Sequence, residues 1–147
     1  MGGLTSLNKG KRGEREVVRL VQPVVTEIYS GVGLEPPSIE RNLMQSRKGG
    51  FDVVGLTWLA LEVKYQEQEN LNGWWLQCKD QAGAGQEPVL LHRRNGTKWK
   101  CRMFGYLDAG GPHKVRCPVD IGVEAFLLYL KLRLKKELTQ SQGPAII

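Results

Sequence analysis

The chain has 147 residues, 41% of them hydrophobic, and carries a formal charge of +6 from 21 Lys and Arg against 15 Asp and Glu. That length fits one domain with one core, and that apolar fraction argues against wholesale disorder. No stretch approaches the roughly 18 consecutive apolar residues of a membrane span, and MGGLTSLNKGKRG at the N-terminus lacks the hydrophobic block of a secretory signal.

Residues 1–12, rich in Gly, Ser, Asn and Lys, read as a flexible basic arm. From Glu14 onward Val17, Val18, Leu20, Val21, Val24, Val25 and Ile28 recur at helical spacing. This predicts an amphipathic helix that Pro23 kinks or divides. Residues 31–38 read as a Gly/Pro loop, 39–44 as a short strand and 45–50 as a basic turn. FDVVGL and LALEVKY follow, with only Thr57-Trp58 between them, and read as a β-hairpin. Residues 72–84, opening on Asn72 as N-cap, read as a helix. EPVLLHRR at 87–94 reads as a strand, Asn95-Gly96 as a hairpin turn, and TKWKCRMFGYL as the partner strand. Residues 109–112 read as a loop, and a last helix runs from Asp120 with Phe126, Leu127, Leu130 and Leu134 among its apolar positions. The order is α-β-β-β-α-β-β-α, an α/β class with a mixed central sheet flanked by helices. One domain spans 13–139, and 140–147 form a frayed tail.

Cys78, Cys101 and Cys117 are odd in number and widely spaced, which fits reduced thiols in a cytoplasm better than a disulfide framework. Together with His92 and His113 they contain no C-x-x-C pair, so a zinc site is disfavoured.

The acidic hairpin carries the chemistry. Strand alternation puts Glu62 and Lys64 on one face, about 7 Å apart. A turn at Thr57-Trp58 would pair Leu56 with Leu59 and hence Asp52 with Val63, so Asp52 falls near Glu62. Two half-buried carboxylates repel unless one is protonated or a cation joins them. Mg²⁺ suits such a pair, because it takes oxygen ligands, keeps waters and binds phosphate. A lysine beside it can hold the attacking water or the phosphate. The bland alternative is a solvated strand face with Asp52 as a turn residue.

GEREVV at 13–18, SRKGGFD at 46–52, LEVK at 61–64 and KDQAGA at 79–84 occur in this order over about residues 9–104. In these motifs the chain resembles the PD-(D/E)XK nuclease superfamily, and within it the archaeal-type and phage Holliday junction resolvases. The resemblance implies a restriction-endonuclease-like fold and a Mg²⁺-dependent endonuclease, with Mn²⁺ as a substitute. It implies a homodimer that cuts four-way junctions in paired fashion and leaves 5′-phosphate ends, in a prokaryotic cytoplasm or that of a phage host. It places metal ligands at Asp52, Glu62 and Glu14, the catalytic lysine at Lys64, and further catalytic residues at Gln81 and Ser46. Glu14 also has a plain reading as a first-turn charge on the helix dipole. Phe51 stands where the family often has proline, and Trp74-Trp75 lies outside the pattern.

The basic excess suits a polyanionic partner, nucleic acid first. Lys9, Lys11, Arg12, Arg41, Arg47 and Lys48 surround the acids in sequence, and Arg93 and Arg94, with Lys98, Lys100 and Arg102, flank the Asn95-Gly96 turn. These are the expected DNA contacts, weighed against a solvated, charge-protected hairpin. Trp74 and Trp75 are read as core for at least one of the two, with base stacking as the alternative. Repair, flap or restriction-like cleavage on the same fold, or a non-catalytic nucleic-acid-binding module, remain the competing functions.

Overall fold

The computed structural model describes residues 2–43 and 51–142. The elements are α1 (Gly2–Gly31), β1 (Glu40–Arg41), β2 (Val53–Val54), β3 (Leu59–Tyr65), α2 (Leu71–Gln81), β4 (Glu87–Arg93), β5 (Lys100–Asp108), β6 (Lys114–Gly122) and α3 (Val123–Gln142). The six strands lie side by side in chain order. All neighbours are antiparallel except β3 and β4, which α2 joins as a parallel crossover. The result is a mixed α/β architecture with helices on both faces of one sheet.

Two apolar clusters hold the layers together. On one face Val17, Val21, Val25 and Ile28 of α1 meet Leu61, Val63, Val89, Leu91 and Cys101 of the sheet and Phe126, Leu130, Leu134 and Leu138 of α3. The spacing of three and four residues along both helices supplies a continuous buried stripe. On the other face Trp74, Trp75 and Cys78 of α2 cover Leu90. Both tryptophans are therefore core. Fully burying one such side chain contributes about 2 kcal/mol or more.

Several expectations need correction. Residues 2–12 are the first turns of α1. Glycines at 2, 3 and 10 disfavour a helix, but Lys9 Nζ bonds Glu67 at 2.6 Å and lies 5.5 Å from the Tyr65 ring centroid. Such tertiary contacts outweigh local propensity. Pro23 sits on an exposed face of α1 without dividing it. The N-cap of α2 is Asn70, whose side chain accepts from the Gly73 N–H at 3.3 Å, so Asn72 lies inside the first turn. One strand has no counterpart in the sequence reading. Residues 114–122, which follow the expected loop at 109–112 and take in the first residues of the helix expected from Asp120, form the edge strand β6, and α3 begins only at Val123. Val115, Cys117, Val119 and Ile121 alternate with Lys114, Arg116, Pro118 and Asp120, a period-two signal obscured by charge and by a proline that an edge strand tolerates. Arg102 and Asp120, directly opposite across β5 and β6, lock this strand with two 2.7 Å bonds. Of the tail expected at 140–147, residues 140–142 instead continue α3 to Gln142, and residues 143–147 lie outside the described residues.

Candidate active site

The turn between β2 and β3 forms at Thr57-Trp58 as expected, with the Leu59 N–H donating to the Leu56 carbonyl at 3.2 Å. The register does not follow from it. Val53 pairs with Leu61, so β2 carries one residue more than β3 between turn and ladder. Gly55, at φ 136°, is where this bulge is accommodated. A Cβ there would meet Ile39 Cδ1 at 2.7 Å and the Ser38 carbonyl at 2.8 Å. The consequence is direct: continuing the register sets Asp52 opposite Glu62 rather than Val63, and opposed residues share a face.

The two carboxyl groups indeed meet. Asp52 and Glu62 share a side-chain hydrogen bond. Both are buried, Glu62 to 1% exposure and Asp52 to 6%. The main chain holds Asp52 from three sides. Its N–H donates to the Leu61 carbonyl at 3.0 Å, its carbonyl accepts from the Asn42 N–H at 2.8 Å, and its Oδ2 accepts from the Val63 N–H at 2.7 Å. Two carboxyls can hydrogen-bond to each other only when one keeps a proton. Burial, then the hydrogen bond and charge of Asp52, push Glu62 up to about 9, against a partial offset from Lys64.

Lys64 is half-buried, two residues along β3 and on the Glu62 face. Glu14, also half-buried, is raised by burial and by the charge of Asp52, which puts it within electrostatic reach of the pair. Arg41 opposes that rise, its Nε bonding Glu14 Oε1 at 3.2 Å. Gly13 makes this placement feasible. A Cβ on it would lie 2.9 Å from Tyr65 Cβ, so glycine lets α1 close on β3 immediately before Glu14. Cys78 of α2 lies under the acids, hydrogen-bonded with the backbone of Glu62 and Val89, and burial pushes its thiol up to about 12. Gln81 is half-buried at the last turn of α2, the helix covering the Glu62 face. Ser46, Arg47 and Lys48 lie outside the described residues.

The fold thus gathers Asp52, Glu62, Lys64 and Glu14 from three segments. Among the described residues no three acidic, histidine or cysteine side chains converge into a complete metal cage. Asp52 and Glu62 by themselves still fit a hard divalent cation. Their oxygens are the donors Mg²⁺ prefers, two carboxylates are its common complement, and a cation would replace the proton that Glu62 otherwise retains.

The expected DNA contacts divide. Arg94 is exposed in the turn at Asn95-Gly96. Arg93 is turned inward: it bonds Glu16 at 2.7 Å and stacks over the Tyr65 and Trp99 rings. It braces α1 against β4. Arg12 pairs with Glu16, and Lys9 with Glu67. Lys11 is exposed on α1. Sequence reasoning missed three contributors: Arg41 as the partner of Glu14, the Val63 N–H and Cys78. A partner 27 residues away and a main-chain donor leave no mark in the spacing of side chains.

Comparison with known proteins gives no match among protein-family models, curated proteins or solved structures. Among the described residues no helix is long and apolar enough to cross a membrane.

Proposed function

We propose that this chain is a Mg²⁺-dependent DNA endonuclease that acts on four-way junctions as a homodimer, leaving 5′-phosphate ends. The observation that carries the reading is the buried, hydrogen-bonded pair of Asp52 and Glu62. A buried acid pair costs stability, and the one main-chain bond that the Asp52 carboxylate accepts leaves the burial of Glu62 beside it unexplained. It is accounted for if a divalent cation is the pair's working partner.

Asp52 and Glu62 would hold Mg²⁺, which supplies positive charge for a phosphate's oxygens and eases deprotonation of water. The Val63 N–H keeps the Asp52 carboxylate facing Glu62, so the ligands are oriented before any ion or substrate arrives. Lys64, next along the same face, orients the water that attacks phosphorus and offsets the charge that grows on the phosphate oxygens. The 3′ oxygen leaves as that bond to phosphorus breaks. Glu14, held by Arg41 within reach of the Asp52 charge, would steady water bound to that ion. Cys78 and α2 close the pocket from beneath and keep its dielectric low. Cutting two strands of a two-fold symmetric junction calls for two such sites, hence the homodimer.

The test is cleavage of a labelled four-way junction beside linear, nicked and flapped duplexes of matched sequence. Wild type should cut the junction in Mg²⁺ at least about tenfold faster, a difference of some 1.4 kcal/mol. Equal cleavage of flaps would assign a repair-type nuclease instead. Binding with no cleavage in Mg²⁺ or Mn²⁺ would leave only a binding module.

A further inference from the structure

We infer that a row of cations on α1, continuing into a groove beside the acids, is the track for a phosphodiester strand. The inference rests on the nuclease reading and names where that enzyme grips its substrate. Lys11, Arg15 and Arg19 follow at i, i+4 and i+8, so they project from one face of α1 at intervals of about 6 Å. All three are exposed. Like charges at this spacing repel, and among the described residues no ion pair holds any of them. By contrast Arg12, Arg41 and Arg93 each face a carboxylate. A run of exposed like charges that folding leaves outside any ion pair suits a polyanion laid along it.

Arg15 and Arg19 line a groove of about 460 Å³ together with Arg41, Val18, Leu43 and Glu40. Val18 and the 76% exposed Leu43 offer apolar surface for deoxyribose. The one acid, Glu40, receives a 3.1 Å hydrogen bond from Ser38 Oγ. Arg41 ties the groove to the site: it bonds Glu14, and the N–H of the next residue, Asn42, bonds the Asp52 carbonyl. A strand laid along the row therefore reaches the Glu14–Arg41 pair beside the catalytic acids. Arginine's planar fork matches phosphate oxygens in bidentate fashion. Positive charge repeated at a regular interval favours a phosphodiester backbone, whose own charges repeat regularly, over an acidic peptide.

The experiment measures anisotropy of a labelled junction and a matched duplex in EDTA across a salt series. It compares wild type, Arg15→Gln/Arg19→Gln, and Lys131→Gln/Lys135→Gln as control. Lys131 bonds Glu27, thirteen residues beyond Glu14 and so about 20 Å along α1. The first double variant should lose about tenfold or more in affinity, and its salt slope should fall by about two. The control should stay within about twofold of wild type. Circular dichroism confirms folding, and the single variant Lys11→Gln, expected to lower the slope by about one, provides a second reading if the double variant misfolds. Unchanged affinity and slope in folded variants, while wild type cuts DNA, would overturn the track and spare the nuclease. Binding through the row without cleavage in Mg²⁺ or Mn²⁺ would uphold the track and overturn the nuclease. Absence of any DNA binding would overturn both.

Discussion

Asp52 Oδ2 accepts the main-chain N–H of Val63 at 2.7 Å, which ties this carboxylate to the strand that carries Glu62 rather than to its own. The link separates what Asp52 does for the fold from what its charge does for chemistry. In Asp52→Asn the amide oxygen can still accept that N–H, so the variant should fold and melt close to wild type. Its junction cleavage in Mg²⁺ should fall by about a hundredfold or more, because one anionic ligand is gone. Junction affinity in EDTA should be retained. Cleavage within a fewfold of wild type would remove Asp52 from the mechanism.

Glu62 makes stability depend on pH, with a definite sign. Its carboxyl is raised from 4.5 to about 9 on folding. Between those values the folded state holds a proton that the unfolded state releases. The contribution is complete below about pH 4.5 and is lost as pH rises toward about 9. Glu62→Gln keeps a neutral side chain at every pH and should abolish this slope. In EDTA at pH 8 the variant should be more stable than wild type by about 1–3 kcal/mol, because each tenfold difference in proton affinity between folded and unfolded chains is worth roughly 1.4 kcal/mol and local relaxation recovers part of it. Parallel stability profiles for the two proteins would count against the buried protonated acid.

The same proton competes with magnesium. Mg²⁺ binding should be weak near pH 6 and strengthen by up to about tenfold per pH unit toward pH 9, with proton release. Calorimetry in buffers of different ionisation heat reads both. An affinity independent of pH would place the ion elsewhere.

Gly55 carries the bulge that sets the register. Gly55→Ala meets a positive φ and backbone 2.8 Å from the new methyl group. The expected cost is about 2–4 kcal/mol in denaturant unfolding, with loss of Mg²⁺ binding because Asp52 shifts out of line with Glu62. A variant that melts like wild type would show that β2 reaches its register without the bulge.

Arg93 is a brace. Arg93→Ala leaves half-buried Glu16 short of a partner and removes the stacking on Tyr65 and Trp99. It should lower stability by about 1–3 kcal/mol while leaving the salt slope of DNA binding unchanged. A slope reduced by about one would restore it as a phosphate contact.

Where a signal is local and periodic, the sequence by itself determined the outcome. The valine stripe of α1, the strands at 59–65 and 87–93, the Asn95-Gly96 turn and the shared face of Glu62 and Lys64 follow from side-chain alternation and turn chemistry. Only the tertiary structure decided that Asp52 stands opposite Glu62, that Arg41 reaches Glu14, that Arg93 points inward and that residues 2–12 are helical. Each of these depends on a bulge, a main-chain bond or a contact between segments far apart in the chain. Such contacts are set by how packed layers meet, and a window of neighbouring residues carries no record of that.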